Sequence, residues 1–76
     1  MQFEPQLPRR RASFTIVAER MAPDAWHLQV RELPATWTVA FSRAEIEWRA
    51  RERIAIDLGC HPADFDVHLL EVMPGH

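Results

Sequence analysis

From Ser42 to Leu58 the chain runs without Gly or Pro and repeats its apolar residues at helical spacing. Ile46, Ala50, Ile54 and Leu58 form an i, i+4 row, the apolar stripe of one amphipathic helix. Gly59 falls where a left-handed residue closes a helix, and Pro62 follows as a stop. Ser42 and Glu45 have the spacing of a capping box. Glu45–Arg49 and Glu47–Arg51 are acid-first i, i+4 pairs, each adding about 0.2–0.5 kcal/mol. A lone helix with one apolar stripe needs a second layer to bury it, and the flanking residues supply strands.

Ala12 to Arg20 is rich in β-branched and aromatic residues, with Phe14, Ile16 and Ala18 on one face and Ser13, Thr15, Val17 and Glu19 on the other. Pro23-Asp24 marks a turn. Trp26 to Arg31 alternates Trp26, Leu28 and Val30 against His27, Gln29 and Arg31. Glu32 to Ala35 breaks that strand, and Thr36 to Phe41 forms a third, with Trp37, Val39 and Phe41 expected inward beside Trp26. Phe65 to Val72 closes the domain, with Phe65, Val67 and Leu69 expected inward.

The fold class is therefore α+β, in the order β-β-β-α-β. Three strands joined by short turns make an antiparallel meander. The helix returns the chain so that the fourth strand runs parallel to the first, giving spatial order 3-2-1-4 with the helix on one sheet face. Residues 1–11, with Pro5, Pro8 and the Arg9-Arg10-Arg11 cluster, read as a flexible arm, 12–72 as a single domain and 73–76 as a tail.

Composition narrows the function classes. The chain has 76 residues, 47% of them apolar and 26% charged, enough for one core and too few for a large cofactor cradle. All nine basic residues are Arg, against eleven acidic ones, so the formal net charge of −2 does not favour nucleic acid. A single Cys60 cannot staple a secreted mini-protein. No apolar stretch is long enough to span a bilayer, and no apolar run follows the N-terminal arginines, so a cytoplasmic location is expected.

Candidate chemistry is sparse. Glu19 is the lone carboxylate of the first strand, which gives no cluster for metal-assisted phosphodiester hydrolysis. His27 and His68 fall on strands flanking the first, about 10 Å apart across two strand spacings, too far to share a metal ion. Cys60, at the end of the helix, reads as a packing or bystander residue. No catalytic residue, cofactor or metal site is expected.

Contact surfaces are the more informative feature. Trp48 lies about 160° from the centre of the apolar stripe, with Ala44, Arg51 and Ala55 expected around it on the outer side of the helix. An exposed Trp marks a contact surface. The sheet face away from the helix is expected to carry Val17, His27, Gln29, Thr36, Thr38, His68, Leu70 and Val72. A small sheet covered on one side only is marginal alone, so a homodimer or higher assembly is expected.

The sequence Trp26…Val30-Arg31-Glu32-Leu33-Pro34, then Thr38, a helix with Glu45…Ala50-Arg51-Glu52, then Leu58-Gly59 and a closing strand, resembles the HicB-like antitoxin domain. The likeness covers about residues 12–72. It implies a β-β-β-α-β, reduced RNase H-like core and a non-enzymatic role: binding a small ribonuclease toxin and occluding it. Arg31 stands where the family often has Pro, and Ala35 where it often has Gly. Too few residues follow Val72 for the DNA-binding module many members carry, so autorepression is not expected. Asp64, Asp66 and Glu71 are expected to complement a basic toxin. An orphan dimeric scaffold with a different protein partner is the alternative.

Overall fold

A computed structural model describes residues 11–73. Its elements are β1 (Ser13–Ala22), β2 (Ala25–Val30), β3 (Leu33–Ala40), α1 (Ile46–Leu58) and β4 (Asp66–Val72), with a 3-10 turn at Arg43–Glu45 leading into α1. The sheet order is β3-β2-β1-β4, antiparallel across the meander and parallel between β1 and β4. The fold is thus the α+β arrangement read from the sequence.

One face of the sheet is dry. Phe14, Ile16 and Ala18 of β1 and Trp26, Leu28 and Val30 of β2 alternate inward and are buried. Ile46, Ala50 and Ile54 of α1 close over them, and Phe65 completes the core, its ring edge-on to Phe14 at 5.4 Å. Thr36 is the one buried polar residue described, and its hydroxyl donates to Asp57 Oδ2 at 2.8 Å. A buried hydroxyl without a partner is costly; here the bond also ties β3 to the end of the helix.

Three local expectations are corrected. First, β3 presents the opposite face from the one its bulk suggested. Gln29 pairs with Trp37 and His27 with Val39, so Trp37 and Val39 share the uncovered face. Thr36, Thr38 and Ala40 turn toward the helix instead, Thr36 and Ala40 being buried. The physical reason is proximity: α1 packs chiefly over β3 and β2, and small side chains there leave room for its own Ile46, Ala50 and Ile54. Phe41, also expected inward, follows the strand and is 63% exposed.

Second, Ser42 makes no side-chain cap; its carbonyl accepts from Glu45 N–H at 3.1 Å. The chain enters α1 through the 3-10 turn, so the capping box does not close. Third, the fourth member of the apolar row, Leu58, is 47% exposed at the last helical position, and Ala55 is buried in its stead. At the far end Gly59 takes φ 70°, and both its N–H and that of Cys60 donate to the Ala55 carbonyl. Any residue with a Cβ would be strained at that left-handed position.

Of the expected arm, Arg11 alone falls among the described residues. It donates to the carbonyls of Ala63 and Phe65, the latter at 3.0 Å, and pairs with Asp66 at 3.4 Å. Residues 1–10 and 74–76 lie outside the described residues.

Candidate protein-binding surface

Because β-strand side chains alternate, the residues between those of the core line up on the other face of the sheet. Cross-strand registers set them in two rows: Trp37–Gln29–Val17–Leu70 and Val39–His27–Glu19–Val72. Nothing among the described residues covers this face. Trp37 is 55% exposed, and its indole stacks on the His27 imidazole, with centroids 5.6 Å apart and planes 25° apart. That stacking holds a large, rigid apolar plate in one orientation on the surface. Leu70 and Val72 at the other end of the rows are also exposed. Val17, His27, Gln29, His68 and Leu70 therefore stand on the open face, as expected; Thr36 and Thr38 do not. Trp37, the largest member, escapes a reading of the sequence because bulk alone points it into the core.

At the meander's end a carboxylate clips the strands. Glu32, in the turn between β2 and β3, accepts from Thr15 N–H at 2.7 Å and from Thr15 Oγ1 at 2.9 Å. The Thr15 backbone bond holds the Glu32 carboxyl below its ordinary range. The Thr36 hydroxyl, reinforced by Arg53, does the same to Asp57. Both carboxylates thus serve as structural acceptors.

The helix surface divides. Trp48 is 57% exposed, with the Arg49 guanidinium 5.4 Å from its ring centre. Arg51 and Ala55 do not join it on open surface. Arg51 donates to the carbonyls of Pro62 at 3.0 Å and Phe65 at 2.8 Å and lies over the Phe65 ring. Ala55 is buried. The carbonyls of the return loop between α1 and β4 hold Arg51, and Ala55 belongs to the core, so neither residue is free to meet a partner. The pairs Arg51–Glu47 and Arg49–Glu45 form as read.

The acids expected to face a basic partner are engaged within the chain. Asp66 pairs with Arg11, Glu71 with Arg43, and the Asp64 carboxylate accepts from His61 N–H. His27 and His68 lie opposite Glu19 and Thr15 of β1, so about 13 Å of strand separates them lengthwise besides two strand spacings. Among the described residues no group of three or more His, Cys, Asp or Glu is placed to hold a metal ion, and no helix is long and apolar enough to cross a membrane. Comparison of the chain with protein-family models, with curated proteins and with solved structures returns no match.

Proposed function

We propose that this chain is a non-enzymatic protein-binding module whose working surface is the open face of its sheet. One observation carries the reading: Trp37, more than half exposed and held flat on His27, stands on the same uncovered face as Val17, Leu70 and Val72. Exposed aromatic plates flanked by aliphatics are the usual anchors of protein contacts. The module also self-associates and acts in the cytoplasm. The likeness to HicB-like antitoxins gives the partner a class, a small ribonuclease toxin silenced by occlusion. The test is co-expression with the neighbouring reading frame. A small RNA-cleaving protein encoded there should arrest growth alone, be relieved by this chain, and escape relief when the chain carries Trp37→Ala. Absence of such a neighbour, or relief that survives Trp37→Ala, contradicts the antitoxin reading.

A second reading is favoured by the internal pairing of Asp66 and Glu71. With those charges already met, the open face offers Trp37, Val17, Leu70 and Val72 among a few polar side chains, which suits an orphan scaffold holding a partner without strong charge. Salt separates the two: binding to a basic toxin weakens as ionic strength rises, whereas apolar docking does not.

A further inference from the structure

The two edges of the sheet are unlike. β3 carries Pro34, which has no N–H to donate, and the Gln29 side chain caps the Pro34 carbonyl at 3.0 Å. These are features that block pairing along an edge. β4 has neither Pro nor Lys over Asp66–Val72. Its apolar side chains are exposed on both faces: Leu69 on the helix side at 49%, Leu70 and Val72 on the open side at 41% and 36%. Ile16, the neighbour of Leu69 across the ladder, is 1% exposed, so burial on the helix side falls away sharply between β1 and the β4 edge.

We propose that a second copy of this chain pairs with the β4 edge, β4 against β4 antiparallel about a two-fold axis perpendicular to the sheet, to make one eight-stranded sheet. This deepens the self-association in the proposed function by giving it a site. The two-fold sets each residue opposite one of the same face, so the register must be centred on a residue. Centring on Leu69 pairs all seven residues of β4. Leu69 then meets its own copy on the axis, His68 meets Leu70, Val67 meets Glu71 and Asp66 meets Val72. No acid faces an acid, and each acid enters already paired with its own arginine, Arg11 or Arg43. Slipping the register by one residue would set Asp66 against Glu71 twice and put the two helices on opposite faces. Both helices instead lie on the same side, and the Trp37–Gln29–Val17–Leu70 row of each copy ends against His68 of the other.

A seven-residue strand is about 23 Å long, and such an edge belongs with interfaces under about 1,200 Å². The dimer therefore dissociates in the high micromolar range. Sedimentation equilibrium on the full chain is the test. The parent should pass from monomer to dimer across that range. Leu69→Glu alone and Leu69→Arg alone should each weaken dimerisation about tenfold or more, by like charge across the axis. An equimolar mixture of the two should dimerise again near the parent value. A second readout uses thiols in a Cys60→Ser background. Leu69→Cys places two sulfurs on the axis, about 5 Å apart at Cβ, within reach of a short bifunctional cross-linker. Val72→Cys places them about 20 Å apart, out of reach. A monomeric parent at high micromolar concentration, no recovery in the mixture, or equal cross-linking of the two cysteine variants overturns the edge dimer. Relief of toxin arrest that still depends on Trp37 would then leave the partner-binding role standing, whereas a monomeric parent would remove self-association from it.

Discussion

The two faces of the sheet are built by the same strands with the same alternation, yet they end in opposite states. Beneath α1, Ile16, Leu28 and Ala40 are at most 1% exposed, and the one buried polar side chain described, Thr36, has a partner. On the other face Trp37 is 55% exposed and Leu70 41%. The difference does not track side-chain bulk. β3 gives its Thr and Ala residues to the core and its Trp to solvent. Distance to the helix decides, because a close layer has room for small groups only.

The largest effect should come from the covered face. Phe65→Ala removes a ring that fills the space between Phe14 and Arg51. It should cost about 3–5 kcal/mol, a large part of the roughly 4–11 kcal/mol a chain of this length commands. Urea denaturation measures it. Trp37→Ala, the same kind of truncation on the other face, should change stability by no more than about 0.5 kcal/mol while removing partner binding. If the two substitutions cost alike, the contrast between the faces collapses.

A subtler effect belongs to the tie between β3 and the helix. Thr36→Val keeps the shape and deletes the hydroxyl that donates to Asp57. Because that bond lowers the Asp57 carboxyl, its stabilisation is fully present above the unfolded value, near 3.8, and is lost as pH falls through the lower folded one. Glu32 follows the same sign from its ordinary 4.5. The parent should therefore lose stability in acid below about pH 4.5. Thr36→Val should be the less stable protein at neutral pH and should converge on the parent in strong acid. A constant gap at every pH would mean that Thr36 contributes by packing alone. Smallest of all, Trp48→Ala should leave folding nearly intact, since its ring meets solvent and Arg49.

Much of the fold was legible because its signals are local. Alternation in β1 and β2, the turn at Pro23-Asp24, the i, i+4 row of α1 and Gly59 as its stop are each written within a few residues. From these, the handedness of crossovers orders the sheet. What stayed hidden depends on contacts far apart in the chain. Either face of β3 can be read as the buried one, and nothing within TWTVAF says how close a helix will lie. Arg51 was legible as the partner of Glu47, but its bonds to the Pro62 and Phe65 carbonyls arise only once the loop folds back. Glu32 sits in the Glu-Leu-Pro turn that carried the family likeness, yet its work as a clip on Thr15 shows only when β1 and that turn lie side by side. Helical angle alone points Ala55 outward, yet it is buried with the core.

Acrylamide quenching of single-tryptophan variants, the other two indoles replaced by Phe, tests the open face most directly. In dilute solution Trp37 should be quenched as freely as Trp48, with Trp26 shielded, and adding a partner protein should shield Trp37. A Trp37 as protected as Trp26 in the dilute monomer, or equally accessible with the partner bound, would contradict an adhesive open face.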